Sequence, residues 1–141
     1  MPTESIARNR YYEIALHPAK NRVYLTITGF WNDPAAVPFY RADWQKALAR
    51  VQPGFTVLAD ATRMKTHPAP VQALHESIQG LLQREGLRFS AKVVAHDDMA
   101  DLQCDAMLRR TGLEVTKFAS LAEAEKWLDA MERLRPAAGN A

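Results

Sequence analysis

Apolar and polar residues alternate with a period of two near the start of the chain. Tyr12, Ile14 and Leu16 stand against Tyr11, Glu13, Ala15 and His17, and Val23, Leu25 and Ile27 stand against Tyr24, Thr26 and Thr28. That period sends successive side chains to opposite faces of a strand, so the spacing predicts strands over 11–17 and 22–30. Pro18-Ala19-Lys20-Asn21 between them is short enough only for an antiparallel hairpin. The period then changes. After Asp33-Pro34, which offers a cap and a first-turn proline, Val37, Tyr40, Trp44, Leu48 and Val51 recur at three- and four-residue steps, the spacing of one helix face. Pro38 lacks a donor, so the regular helix is expected to begin only there, and Pro53-Gly54 ends it.

The apolar run Phe55, Val57, Leu58, Ala59 predicts a third strand over 55–61. Pro68 and Pro70 introduce a second helix, with Val71, Leu74, Ile78, Leu81 and Leu82 on one face and Gly86 as its stop. A fourth strand is expected over 87–96. Asp97 or Asp98 caps a third helix that runs to about Arg110 and ends at Gly112, and a brief fifth strand covers 114–118. Ser120-Leu121-Ala122-Glu123 is a capping box, and Leu121, Ala124, Trp127, Leu128, Met131 and Leu134 form the stripe of a last helix.

The resulting α/β order, ββαβαβαβα, predicts a five-stranded mixed sheet: an N-terminal antiparallel hairpin, then parallel strands joined by right-handed crossovers. Strands covered on both faces are apolar throughout, but here Leu87, Phe89, Ala91, Val93 and Ala95 alternate with Arg88, Ser90, Lys92, Val94 and His96. The helices are therefore expected mainly on one face. Glu13, Tyr24, Thr26, Thr28, Arg88, Ser90 and Lys92 would line an open, mostly polar second face. Residues 10–134 read as a single domain between a flexible N-terminus, 1–9, and a flexible C-terminal tail, 135–141.

Composition narrows the function classes. A chain of 141 residues, 48% hydrophobic and 24% charged, is sized for one core that needs neither disulfides nor a structural metal. Eighteen Lys+Arg against sixteen Asp+Glu leaves +2, without the cationic excess that phosphate binding uses, so nucleic acid is not expected as a partner. Cys104 is the single cysteine, which excludes an internal disulfide and fits a reducing compartment. No transmembrane segment or signal peptide is read from the sequence, so the cytoplasm is the expected location.

Four stretches carry a family likeness: Tyr24-Leu25-Thr26-Ile27-Thr28-Gly29; Thr56-Val57-Leu58-Ala59-Asp60; Phe89-Ser90-Ala91-Lys92-Val93-Val94; and Phe118-Ala119-Ser120-Leu121-Ala122-Glu123-Ala124-Glu125-Lys126-Trp127-Leu128. With the element order over 10–134, they resemble the STAS-like family, the group of the bacterial anti-sigma factor antagonists, and in particular its SpoIIAA-like branch, which shares its fold with Sec14-type lipid-carrying domains. The resemblance implies a non-enzymatic domain that binds a regulatory protein partner or a small ligand. It also implies a phosphorylation switch on a serine where the third strand leads into the second helix. Here that junction, Asp60-Ala61-Thr62-Arg63-Met64-Lys65-Thr66-His67-Pro68, contains no serine, and Thr62 and Thr66 are its only hydroxyls.

Ligands of open parallel sheets prefer the carboxyl ends of the strands. Those ends carry Trp31-Asn32-Asp33, then Asp60 with Thr62 and Arg63, then His96-Asp97-Asp98, then Ser120. The ligand site expected there comprises Trp31, Asp60, Thr62, Arg63 and His67. The simpler alternative makes Asp33, Asp97 or Asp98, and Ser120 helix caps, Asp60 the tie of its own turn and Arg63 a solvated cation. A metal at His96-Asp97-Asp98, completed by His67 or Asp60, is not expected, because consecutive residues rarely converge on one ion; no cofactor is expected either. Cys104 reads as a packing residue inside a helix, His75 as a helix boundary position and His17 as exposed. Nucleophile elbow, P-loop and dinucleotide glycine patterns are absent from the sequence. Tyr40 and Trp44 belong to the core stripe, whereas Phe30, Trp31 and Phe39 do not all fit it: either they are core as well, or some of them stay near the surface as an apolar mouth or a protein contact. Three functions stay open: a non-catalytic module binding a protein partner or a small, partly apolar molecule; a lipid or hydrophobic small-molecule carrier; and a small hydrolase or isomerase using Asp60 with His67 or His96. A homodimer through the first strand or the open face is compatible with each.

Overall fold

The computed structural model describes residues 3–134; the tail expected at 135–141 lies outside the described residues. It opens with a strand that the hydrophobic pattern did not announce. β1 (Glu4–Arg8) pairs antiparallel with β2 (Tyr12–His17), so most of the segment expected to be a flexible N-terminus is the sheet edge, and the strands number six rather than five. Its burial explains why it was missed. Only Ile6 and Ala7 pack against the core, and a register shift between Ser5 and Ala7 breaks the alternation.

β2 pairs antiparallel with β3 (Arg22–Gly29), as the hairpin requires. The tight 3-10 turn between them ends on Asn21, whose φ of 52° is the left-handed conformation that asparagine tolerates better than most residues. α1 (Tyr40–Leu48), β4 (Thr56–Met64), α2 (Ala69–Arg84), β5 (Phe89–Val93), α3 (Asp98–Thr111), β6 (Thr116–Phe118) and α4 (Leu121–Leu134) follow. α1 starts later than its stripe because Asp33 caps a separate 3-10 turn at Pro34–Ala36. The sheet runs in sequence order from β1 to β6, with β3 to β6 parallel.

That order decides where the helices go. Each right-handed crossover steps one strand in the same direction, so α1, α2 and α3 fall on one face. α4 leads to no further strand and turns under the opposite face, where Ala124 and Leu128 bury Leu58, Ala91 and Val93. The helices are thus mainly on one face, and the second face is half covered. Arg22, fully buried, fastens α4 to the sheet: its Nε donates to Thr56 Oγ1 at 2.9 Å, and its Nη1 meets Asp129 at 3.0 Å and Glu125.

The polar face read from the sequence needs correction at β5. Ala91 and Val93 point to α4, while Ser90 and Lys92 turn into the interior under α2 and α3 and are buried. Period-two alternation tells which residues share a face but leaves open which face that is. Tyr24 lies on the α4 face, where its hydroxyl donates to Glu125 at 2.8 Å; Glu13, Thr26 and Thr28 are half-buried and Arg88 is exposed. Among the described residues, no helix is long and apolar enough to cross a membrane.

Candidate functional site

Trp31 and His67 meet, but inside the core. His67 follows the end of β4, and the two prolines after it start α2, whose buried stripe is Val71, His75, Ile78 and Leu82. His75 is therefore a core position, not a boundary one. The His67 ring lies over Trp31 with centroids 5.0 Å apart, and Trp31 Nε1 donates to the Thr28 carbonyl at 3.1 Å. His67 Nε2 is 3.0 Å from the Gly29 carbonyl and its Nδ1 is 3.1 Å from His75 Nε2. A carbonyl only accepts, so Nε2 of His67 carries the hydrogen, Nδ1 accepts, and His75 Nε2 donates to it. Burial, reinforced by the neighbouring His67, pushes His75 down to about 3; burial also lowers His67, against the bond to Gly29. The outcome is a neutral, hydrogen-bonded and closed pair, which Gln103 and Gln72 pin further through the His67 backbone.

The other expected site residues do not join it. β4 runs on to Met64, so Asp60, Thr62 and Arg63 belong to the strand rather than to a loop beyond it. Asp60 accepts from the Thr62 N–H at 3.0 Å and from its hydroxyl at 2.7 Å, tying its own turn, and Arg63 is exposed. His96 has an exposed side chain, and its backbone N–H donates to the Thr62 carbonyl at 3.2 Å. No hydrogen bond or ion pair joins Asp60 to His67 or His96 among the described residues, so the acid–base couple of the hydrolase alternative is not assembled. Asp33, Asp97 and Ser120 each accept from backbone N–H groups as helix caps. Of the aromatic residues outside the stripe, Trp31 is sealed in the core while Phe30 and Phe39 are exposed. Cys104 is buried 3.6 Å from Met64 Sδ, and burial pushes its thiol up, away from nucleophilic use. No group of three metal-binding side chains occurs among the described residues.

The feature that the sequence reading missed lies under α2 and α3. A cavity of about 90 Å³ is walled by apolar side chains including Leu25, Val57, Ile78 and Met107, and Ser90 and Lys92 face it from β5. Lys92 is 6% exposed, and its Nζ has no hydrogen-bond partner among the described residues. Its nearest countercharge is Asp101 Oδ1 on α3 at 3.7 Å, too far for a hydrogen bond, and that oxygen is also buried without a hydrogen-bond partner. The other oxygen of Asp101 is held by Lys117 at 3.1 Å. The sequence signal was a lysine and a serine two apart in an otherwise apolar strand, which reads equally well as a solvated edge. The arrangement supplies buried donors beside an apolar volume, the pairing that fixes the polar end of a ligand.

Compared with known proteins, the chain matches no family model, no curated protein and no solved structure.

Proposed function

We propose that this chain is a non-catalytic, cytoplasmic ligand-binding domain on a STAS-like, SpoIIAA-like scaffold, and that its ligand is a small, partly apolar molecule held between the sheet and α2 and α3. One observation carries the reading: a cavity of about 90 Å³ beneath α2 and α3 is lined by a buried lysine whose Nζ has no hydrogen-bond partner among the described residues. Cores pack with few voids larger than a water molecule, and buried polar groups are nearly always hydrogen-bonded, so the two departures at one place call for one explanation. The sequential mixed sheet supports the STAS-like scaffold. The site therefore differs from Trp31, Asp60, Thr62, Arg63 and His67. The volume favours a small molecule over a lipid, since sites for drug-sized ligands run to about 300–1,000 Å³.

Native mass spectrometry of protein taken directly from cells tests this. The wild-type chain is expected to carry one small molecule, and Ala59→Leu, which grows a side chain into the cavity wall, is expected to lose it while keeping its circular dichroism. A wild-type chain that shows its bare mass, and whose cavity methyl signals stay still in cell extract, overturns the reading.

A further inference from the structure

The cavity has a thin side, and the inference drawn from it rests on the cavity reading above. Leu108, Leu113 and Val115 line the cavity from within, and the same three residues line a hollow on the outer surface. All three are half-buried, whereas Arg109, Gly112, Glu114 and Thr116, which complete the outer hollow, are exposed. One layer of aliphatic side chains therefore stands between the cavity and solvent at this point. Elsewhere the enclosure is deeper. The sheet closes it through Leu25 and Val57, and α1 closes it through Tyr40 and Trp44, all of them buried. The seam between α2 and α3 is fastened: Arg110 Nη2 donates to Glu76 at 2.7 Å and to Gln72 at 3.0 Å, and Thr111 Oγ1 donates to Gln79 at 2.7 Å.

The thin side is also the one built to move. Leu113 and Val115 belong to residues 112–115, which join α3 to β6 and lie in neither helix nor strand. Gly112 caps α3 at a φ of 75°, with nothing within 4 Å of where a Cβ would project, so rotation there meets no packed neighbour. The Leu113 N–H reaches Thr111 Oγ1 at 3.4 Å, a long and weak bond. Opening at an element end that breaks few contacts costs least, and hinges are drawn from such places. We infer that residues 112–115 are the entrance to the cavity. They swing outward about Gly112, Leu113 and Val115 leave the wall, and the ligand passes between solvent and the cavity.

The experiment is methyl NMR relaxation dispersion on the full chain with 1-chloropropane as the probe. The probe is expected to shift the Val57 and Met107 methyl signals, which report from inside the cavity. Leu113→Ala is expected to raise the on-rate and the off-rate together by about tenfold, because opening no longer exposes a leucine side chain to water. Val115→Ala should raise both by about threefold, and it carries the test if Leu113→Ala does not fold. Arg110→Ala unfastens the seam between α2 and α3 and should leave both rates within about twofold. Unchanged rates in the two wall variants, or acceleration by Arg110→Ala alone, would overturn the entrance while leaving the cavity reading in place. If the probe moves those methyl signals in none of the four proteins, the cavity admits no small molecule and both readings fall.

Discussion

A pair of histidines and a lysine are buried in the same interior, and they differ in one respect. His67 and His75 are 2% and 5% exposed and Lys92 is 6% exposed, so depth does not separate them. Satisfaction does. The imidazoles bond to each other and to the Gly29 carbonyl, and aromatic rings pack around them. The lysine and its aspartate stand 3.7 Å apart with both facing atoms unbonded, and the lysine lines a cavity. A satisfied buried pair rigidifies the place where it sits, whereas an unsatisfied one keeps a cost that a ligand can remove. The first is read as architecture and the second as a site.

Acid should break the histidine pair, and this is the largest effect expected. An unfolded histidine takes up a proton near pH 6.5, whereas folded His75 does so only near pH 3. Between those values the folded state binds fewer protons. Stability is therefore complete above about pH 6.5 and is lost as the pH falls towards 3, by on the order of 4 kcal/mol. Urea unfolding from pH 7.5 to pH 4 measures it, and His75→Gln should flatten the curve. A wild-type curve already flat would mean that the imidazoles are open to solvent.

The contrast between the histidines and the lysine was only partly legible in the sequence. Strand and helix order could be read because each element repeats its apolar spacing, as Val23, Leu25 and Ile27 do in β3. β1 could not, because an edge strand with little buried surface has no pattern to show. The caps Asp33, Asp97 and Ser120 act within a few residues and were visible. The sites were not, because they depend on contacts far apart in the chain. His67 and Gly29 are 38 residues apart, and Lys92 meets an aspartate on the following helix. Alternation in β5 paired Ser90 with Lys92 correctly, and the side they face was settled only when α4 covered Ala91 and Val93.

A third buried charge tests whether satisfaction is what matters. Arg22 is as buried as Lys92 yet has hydrogen bonds to Thr56, Glu125 and Asp129. Arg22→Ala should destabilise the chain, unlike removal of the lysine charge. Breaking a fully buried pair costs about 3–5 kcal/mol, but Glu125 and Asp129 are about a third exposed and keep Lys20, so about 2 kcal/mol is expected. Amide exchange should report the loss first in α4. A variant as stable as the wild type would show that hydrogen bonding does not divide the buried charges of this fold.

Lys92→Met gives the smallest change and the opposite sign. Losing one partner of a buried ion pair normally destabilises because the other charge is stranded. Asp101 Oδ1 loses its facing charge, but Lys117 holds the other carboxylate oxygen at 3.1 Å and the side chain keeps 25% of its exposure, which limits that cost. What the substitution removes is an ammonium group with no hydrogen-bond partner among the described residues, and a thioether of similar length lies comfortably against the cavity wall. The ligand-free variant should therefore be more stable than the wild type by about 1 kcal/mol, seen as a higher urea midpoint with an unchanged slope. A loss of stability would mean that Lys92 is already satisfied in solution, and the difference between the histidines and the lysine would disappear.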